Sequence, residues 1–488
     1  MRDIRRRIVA VFILLVVAGA VLAAVRRPKP GLVLGTVGVG QSPRFAAVDV
    51  RTGHAFVVNM GGPQSATVTT TGAAASLAQG SFTPGSVSMI DTRSGTLIRT
   101  IDAGESPTAV AVDARHQRAY VLDAGSVYVL DTATGTLLRT ISLRGGDDSL
   151  TVDPSTGHVY TASYTTGTVS MFDGGTGRLL QVVTVGQGVV GMLVDERTHR
   201  LFAESRPGGY GTGLRGAIGV IDTVSGSLVR RDIVGLSPDG MALDSAANSV
   251  YVLNGQEGTV SVLDASNGAV TRTVTLTAGG FPSGPGAIVV VERTRRAFVD
   301  HGWTSVFDTC TGKVLYTDKF SPVPGPIAID RGSDRVFAAS YRDGRVRVLD
   351  GSSGHVLRAV DMGIAPQDMV VDERGGRVYV VTPGPILSTA PRGAVGPVAT
   401  RGPGRVYVLD GRSGAIRERA TVGMSPVALA VSEQNRRILV LNMAGLTRAS
   451  DPWSWVPDWA RRRLPFIPRP PPTFQSANGS VSILDASQ

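Results

Sequence analysis

Histidine and cysteine are the side chains of this 488-residue sequence with the widest catalytic range, and they do not cluster. A metal site or an acid–base pair would need histidines close to each other or to carboxylates. Five of the six histidines lie in turns of a repeat described below, where blade spacing should hold them apart: His54, His116, His158 and His199 in the first turn of successive units, and His355 in the last turn of another. We therefore predict that they are solvated turn residues, and that the chain has no catalytic residue and no metal site.

His301 differs, because it lies next to Asp300 and two residues before Trp303. It is a weak candidate for a binding residue, as is Trp303. Cys310 is the single cysteine and stands where a related turn has alanine, with no neighbour that would activate a thiol. Glycine-rich stretches near residues 284 and 401 lack the lysine and following helix of a phosphate-binding loop, and no cofactor is predicted.

The most unusual stretch is residues 451–472, DPWSWVPDWARRRLPFIPRPPP, which we name the Trp–Arg segment. Tryptophan and arginine are enriched where proteins bind partners, since both offer a large contact area and a polar group. The segment could bind a protein partner, a glycan or an anionic lipid surface, and the alternative is a proline-stiffened loop that packs on the protein itself. The candidate binding residues of this segment are Trp453, Trp455, Trp459, Arg461, Arg462 and Arg463.

A repeat of about 40 residues must position these side chains. Residues 106–141 contain four short alternating stretches separated by turn residues, TAVAVD, RAYVLD, SVYVLD and TLLRTI, which predict strands A to D of one four-stranded unit. Strand C ends each time in aspartate, followed four residues later by glycine, as in Asp91 and Gly95. Aspartate can accept backbone hydrogen bonds in such a turn and glycine tolerates positive φ, so these aspartates are predicted to be structural.

The two ends of the repeat region complement each other. The last unit stops at Asp485 without a strand D, while residues 31–43 align without gaps on residues 95–107, which are a strand D and its link. The first strand should therefore pair with the last three and close a ring. The fold class is all-β: one closed β-propeller of four-stranded blades over residues 31–488, with nine repeats counted and seven or eight possible.

The ordered recurrence of S-P, A-V-D, Y-V, V-x-V-x-D and T-G elements resembles the YVTN family of bacterial and archaeal β-propellers, with FVVN at 56, YVLD at 120 and YVLN at 251. The resemblance covers residues 31–488 and implies an exported or surface protein. More distantly, the repeats resemble the propellers of quinoprotein amine dehydrogenases and sugar-lactone hydrolases, and no residue of those enzymes carries over.

Sequence position also assigns a face to each connection. The four long insertions, at residues 60–84, 206–216, 383–404 and 443–478, are all B-to-C connections and should lie with the D-to-A links on one face. The first, rich in Ser, Thr, Ala and Gly, is predicted to be a mobile loop. The same face should carry single acidic residues from different blades: Asp123, Glu204, Asp239 and Asp300.

The formal charge of +10 is concentrated near the start of the chain and in one insertion: residues 1–29 carry +6 and residues 443–478 carry +3, so nucleic acid is not a predicted partner. Residues 8–25 form an apolar run of 18, flanked by arginines, long enough for a membrane helix. Residues 1–30 are predicted to be a membrane anchor. The alternative is a cleaved signal peptide with Ala18-Gly19-Ala20 as its cleavage motif.

Two functions follow as hypotheses. The first is an exported, membrane-anchored, non-catalytic binding module for a protein or glycan, with its propeller at the cell surface or in the periplasm. The second is a small-molecule enzyme of lactone-hydrolase or quinoprotein-dehydrogenase type at the channel mouth. The enzyme would require several acidic residues or His301 to converge on one point.

Overall fold

A computed structural model of the chain describes residues 32–63, 65–71, 74–79, 82–144, 146–208, 212–276, 286–301, 303–318, 324–388, 400–443, 446–448, 473–476 and 478–487. Nine antiparallel four-stranded sheets form the blades of one β-propeller, as the repeat predicted. Strands A of successive blades contact one another around the whole ring, including blade 9 with blade 1. Within these ranges the only helical turn is a 3₁₀ turn, Glu292–Thr294.

Each blade contributes its strands in the order A, B, C, D from the axis outwards. In blades 1 to 3 they are Pro43–Val48, His54–Asn59, Ser86–Asp91 and Thr96–Asp102; Ala109–Asp113, Arg118–Asp123, Ser126–Asp131 and Leu137–Ser142; Ser149–Asp153, His158–Ala162, Thr168–Asp173 and Leu179–Thr184. In blades 4 to 6 they are Val189–Asp195, Arg200–Ser205, Arg215–Asp222 and Leu228–Leu236; Pro238–Asp244, Ser249–Asn254, Thr259–Asp264 and Val270–Thr275; Ala287–Val291, Arg296–Asp300, Thr304–Asp308 and Val314–Asp318. In blades 7 to 9 they are Pro324–Asp330, Arg335–Ser340, Arg345–Asp350 and Val356–Asp361; Asp368–Asp372, Arg377–Thr382, Pro403–Asp410 and Ile416–Met424; Pro426–Ser432, Arg437–Asn442, Ser480–Asp485 and Val33–Gly38.

The ring closes through the first described strand. Val33–Gly38 supplies strand D of blade 9 and pairs antiparallel with Ser480–Asp485, with Val37 opposite Val481. Blade 9 is therefore assembled from both ends of the propeller region, so that its sheet is completed by a strand remote in sequence. This arrangement confirms the predicted closure.

Turn chemistry fixes each blade as the repeat predicted. Asp91 accepts the backbone N–H of Arg93 at 2.8 Å, and Gly95 has φ +71°. The same turn recurs after strand C in the other blades, with the glycine at positive φ in each of blades 2 to 8. These bonds hold the pKa of Asp91 below its usual value against the opposing effect of burial, and they lower the pKa of Asp350 to about 2. The aspartates are structural.

The core lies between neighbouring blades. Strand B is the most buried strand, and its aromatic residue is fully covered in most blades, as with Tyr160. Phe56 and Val58 of blade 1 pack in one apolar cluster with Ala119 and Val121 of blade 2. Polar groups also join neighbouring blades at these boundaries, which we call seams. The Tyr160 hydroxyl donates to the Thr223 carbonyl of the next blade at 3.0 Å. Neighbouring blades are thus held by both apolar packing and hydrogen bonds.

Candidate functional site

The four long insertions share one face of the ring. All of them connect strands B and C, in blades 1, 4, 8 and 9. In an antiparallel blade, B-to-C and D-to-A connections leave at one end of the sheet, while A-to-B and C-to-D turns leave at the other. We call the first the insertion-bearing face and the second the turn face.

Two of the insertions build an accessory sheet. Ser65–Thr71 and Ala74–Gln79 come from blade 1, while Leu446–Arg448 and Thr473–Ser476 come from blade 9. Thr473–Ser476 pairs with Ser65–Thr71, placing Phe474 opposite Ala66, and the other two strands pair on either side. The prediction of a mobile loop for the first insertion is therefore wrong: its alternating Ser, Thr, Val and Ala residues suit a strand once a second insertion supplies a partner.

Short ladders support the bases of two insertions. Gly62–Pro63 pairs with Phe82–Thr83 below the accessory sheet. In blade 8, Ile386 is opposite Arg401 and Ser388 is opposite Thr400. The insertions of blades 1 and 8 therefore begin and end as continuations of their blades.

The candidate binding residues separate into two groups. Trp453, Trp455, Trp459, Arg461, Arg462 and Arg463 lie outside the described residues, between the accessory strands Leu446–Arg448 and Thr473–Ser476. The other two candidates, His301 and Trp303, lie in the short B-to-C connection of blade 6.

His301 is only 4% exposed, so its imidazole is not open to a ligand at the surface. Its Nε2 lies 3.3 Å from the Ser305 hydroxyl, and its backbone N–H donates to the Trp303 carbonyl. Burial lowers the pKa of His301 to about 4, which keeps the ring neutral at physiological pH. The arrangement is that of a packed neutral histidine.

Two turn histidines are also more than solvated residues, which corrects the sequence prediction. The Nδ1 atoms of His54 and His158 lie 2.8 Å from the carbonyls of Thr132 and Thr223, each in the next blade. His116 pairs with Asp113 at 2.6 Å, and His199 and His355 are exposed. A histidine at the start of strand B can reach the adjacent C-to-D turn, a contact that repeat spacing alone did not indicate.

Acidic residues of the insertion-bearing face converge between blades 4, 5 and 6. Glu204 Oε2 accepts the backbone N–H of Gly240 at 3.1 Å, and Asp239 forms an ion pair with Arg206 at 2.9 Å. The second carboxylate oxygen of Asp239 accepts the N–H of Gly286 in blade 6. We call these residues, Glu204, Arg206, Asp239, Gly240 and Gly286, the blade 4–6 cluster.

Glu204 is the most perturbed group of this cluster. It is 2% exposed, and Oε1 has no hydrogen-bond partner within the described part of the chain. Burial is the largest cause that raises its pKa, to about 7, with the nearby negative charge of Asp239 adding to it and Arg206 opposing it. The carboxyl is therefore partly protonated near neutral pH.

The remaining acidic candidates do not join this cluster. Asp123 accepts the N–H of Ser106 within blade 2, and Asp300 is buried in blade 6. Sequence reasoning missed Asp368, which accepts the N–H of Leu429 at 2.7 Å across the seam to blade 9, as Asp239 does towards blade 6. Its signal is an acid as the first residue of strand A, where the other blades have proline, alanine, serine or valine.

Two further observations bear on function. Among the side chains that the structure describes, no three His, Cys, Asp or Glu residues come together in a way that could hold a metal ion. Within the same ranges, no helix has the length and apolar character needed to cross a bilayer. The predicted anchor, residues 8–25, lies outside the described residues.

Comparison with known proteins supports the propeller. A family model described as "Outer membrane protein assembly factor BamB" matches residues 256–442, which is less than half of the chain. No curated protein matches the chain. Since the matching model carries the BamB description, membership of the YVTN family stays a prediction.

One solved structure supports the fold. Dihydro-heme d1 dehydrogenase NirN, solved in complex with DHE, aligns with a TM-score of 0.51 and 13% identity over 82% of this chain and 81% of its own, and at that identity the likeness shows the fold alone. BamB from Moraxella catarrhalis aligns with a TM-score of 0.48 and 17% identity over 69% of this chain and 93% of its own. Kuenenia stuttgartiensis hydrazine synthase aligns with a TM-score of 0.43 and 13% identity over 64% of this chain and 97% of its own. The chain is a nine-bladed β-propeller.

Proposed function

We propose that this protein is an exported, membrane-anchored propeller that acts as a non-catalytic binding module for a protein or glycan. Residues 1–30 tether it, residues 31–488 form the propeller outside the cytoplasm, and the insertion-bearing face receives the partner. The match to a model described as an assembly factor of the outer membrane is in keeping with a protein partner and an extracytoplasmic location.

The observation that carries the proposal is the accessory sheet. Two insertions from adjacent blades have paired through Phe474 opposite Ala66 and Gln475 opposite Ser65 to form a second layer above the ring. Loops that lengthen without selection have no reason to form joint structure across a seam. A rigid scaffold that presents elaborated connections on one face is the usual arrangement of a binding surface.

The chemistry of the insertions suggests how a partner is recognised. Residues 55–90 contain no Asp, Glu, Lys or Arg, so the blade 1 part of the sheet is uncharged. The Trp–Arg segment, which connects the two blade 9 strands, supplies aromatic and cationic groups. Neutral, hydroxyl-rich strands and a connecting segment rich in tryptophan and arginine suit a protein or glycan surface, and Trp453, Trp455, Trp459 and Arg461 to Arg463 are the proposed contacts.

The tether rests on residues 8–25, which span about 27 Å as a helix, close to the thickness of the bilayer's hydrocarbon core. Arg26 and Arg27 follow directly, as expected at the flank of a retained helix. A propeller that is exported requires the N-terminus to stay on the cytoplasmic side. The competing possibility, a cleaved signal peptide, predicts a mature N-terminus shortly after Ala20.

The test removes the blade 1 part of the accessory sheet without disturbing the ring. Joining Pro63 to Phe82 through Asn-Gly keeps the ladder of Gly62–Pro63 with Phe82–Thr83 and deletes the strands above it. We expect this variant to keep the closed ring, with one melting transition slightly below that of the full chain because the hydrogen bonds to Thr473–Ser476 are lost, and to lose the partner that the full chain cross-links in its native host.

The matched control changes the opposite face. Val50 is 61% exposed in a turn of blade 1, and Val50→Lys should leave partner cross-linking unchanged. Equal cross-linking by the shortened variant and the full chain would contradict a role for the accessory sheet.

A small-molecule enzyme is the second candidate, and one observation favours it. Glu204, with its pKa near neutrality and a buried oxygen without a partner in the described ranges, lies beside Asp239 in the blade 4–6 cluster. A carboxyl poised in this way could transfer a proton. If Glu204→Gln abolished turnover of lactones or amines by the full chain, the enzyme would replace the binding module.

A further inference from the structure

The outer rim of the ring carries exposed apolar side chains at one repeated position. The third residue after the C-to-D glycine is apolar and exposed in six blades, and in blades 9, 1 and 2 it is Leu34, Ile98 and Leu138, at 44%, 44% and 47%. The residue before it adds Leu97 and Leu137, at 40% and 49%. We call these five residues the rim sector.

On one side of blade 9 the exposed apolar residues of strand D recur in blades 1 and 2 and go on, through Leu179, Leu228 and Val229, into blades 3 and 4, whereas on the other side they stop at once. Strand D of blade 1 contacts strand D of blade 9. On the opposite side, strand D of blade 8 has Arg417, Glu418 and Arg419 exposed in place of apolar residues. Contiguous exposed apolar residues mark an interaction surface on a soluble domain, whereas scattered ones do not. The sector therefore has a defined position as well as an apolar character.

The chain enters the ring at this sector. Strand D runs from the turn face to the insertion-bearing face, so Val33 begins strand D of blade 9 at the turn face, next to Leu34. Seven residues separate Val33 from Val25, the last residue of the apolar segment, and the eight steps from one Cα to the next span at most about 28 Å. Arg26, Arg27 and Lys29 lie in that connection.

We propose that the rim sector rests in the interfacial region of the lipid bilayer, beside the tether. This inference rests on the proposed membrane anchor. The short connection holds Leu34 close to the bilayer, the apolar residues of blades 1 and 2 extend the contact, and the exposed Arg99 and Arg139 face the anionic headgroups. Since the sector lies near the turn face, the insertion-bearing face is directed away from the membrane, towards the partner.

A lipid-quenching experiment tests the contact in the full chain. Cys310 is exposed at a turn where blade 2 has Ala133, and it is first replaced by alanine. An environment-sensitive fluorophore is then attached to the cysteine of Ile98→Cys or, as a matched control, to that of Leu357→Cys. Leu357 occupies the same strand position in blade 7 and is 53% exposed. In vesicles of phosphatidylethanolamine and phosphatidylglycerol containing spin-labelled lipid, we expect several-fold stronger quenching at 98 than at 357.

A second pair of variants tests the cause. With the probe at Thr36→Cys, the change of Leu34, Ile98 and Leu138 to threonine should reduce its quenching several-fold. The matched change of Val229, Leu315 and Leu357 to threonine should leave the quenching unaltered. Threonine is β-branched and is favoured in strands, and the melting temperatures of both variants report whether the ring is intact.

Flotation of the chain with vesicles separates the two proposals. A chain that floats while probes at 98 and 357 are quenched equally keeps its tether and overturns the rim inference. A chain that does not float lacks the tether, and the rim inference falls with it. Shielding of the probe at 98 in detergent, together with elution as a dimer, would show that a second copy covers the rim and would likewise overturn it.

Discussion

Replacement of Glu204 by glutamine should make the propeller more stable at alkaline pH. Glu204 is 2% exposed and its pKa is raised to about 7, mainly by burial, from an ordinary value of 4.5. Glutamine keeps a carbonyl oxygen that can accept the Gly240 N–H and carries no charge at any pH. The variant therefore removes the ionisation while retaining the 3.1 Å hydrogen bond.

The sign and the size follow from proton linkage. Because the folded-state pKa is raised, the native state binds more protons than the unfolded state between pH 4.5 and 7. Its contribution to stability is fully present below about pH 4.5 and is lost as the pH rises through 7. The difference between the two pKa values, about 7 and 4.5, corresponds to about 3 kcal/mol. The free energy of unfolding of Glu204→Gln should exceed that of the unchanged chain by about 3 kcal/mol at pH 8.5 and by less than about 1 kcal/mol at pH 5.

Urea unfolding of both chains at pH 5, 7 and 8.5, followed by tryptophan fluorescence, measures the difference. His301 is present in both, so its own titration cancels. Glu105→Gln, an exposed carboxyl on the same face, controls for the change in net charge. If the stability difference between Glu204→Gln and the unchanged chain stayed constant from pH 5 to 8.5, the reasoning about a buried, partly protonated carboxyl would be refuted.

Three further predictions concern the ring itself. Deletion of residues 31–41 removes strand D of blade 9 and should strongly lower the melting temperature; a truncated chain that melts like one beginning at residue 31 would contradict closure. Tyr160→Phe loses the inter-blade hydrogen bond to Thr223 and should cost about 1 kcal/mol in urea unfolding, while Tyr164→Phe, at 39% exposure, serves as its control. His301→Gln should remove the decrease in unfolding free energy that His301 causes between pH 6.5 and 4. Because the folded-state pKa of His301 is lowered, its contribution to stability is fully present above pH 6.5 and is lost as the pH falls through 4. An unfolding free energy that decreased over this range as it does in the unchanged chain would contradict the prediction.

The fold was predictable from sequence because each blade repeats the same turn residues and the same strand pattern. Each aspartate–glycine turn specifies a C-to-D connection on its own, and period-two alternation specifies the strands, so the nine repeats could be counted directly. The least regular repeat, in blade 6, still forms four paired strands from Ala287 to Asp318. Closure was also predictable, because the residues from 31 onward align with a strand D.

The contacts across seams were not predictable, because they join residues whose separation in sequence carries no pattern. The accessory sheet pairs Phe474 with Ala66, about 400 residues away, and neither strand belongs to the repeat. In the blade 4–6 cluster, Asp239 and Glu204 bind backbone N–H groups of the following blades, Gly286 and Gly240. Sequence placed these acids on the correct face, while their convergence depends on how adjacent blades pack.

The closing seam links the binding proposal to stability. Blade 9 is completed by hydrogen bonds between Val33–Gly38 and Ser480–Asp485 and by apolar packing of Leu32 and Val33 with Leu484, with no covalent bond across that junction. The accessory sheet adds a second set of hydrogen bonds between insertions of blades 9 and 1 at this seam. A partner that binds both insertions therefore binds the closed ring and not a ring opened at blade 9, so it must stabilise closure by mass action. Ligand-induced protection should consequently be greatest for the Val33–Gly38 amides, including that of Val33 at the turn face, away from the face that the partner contacts.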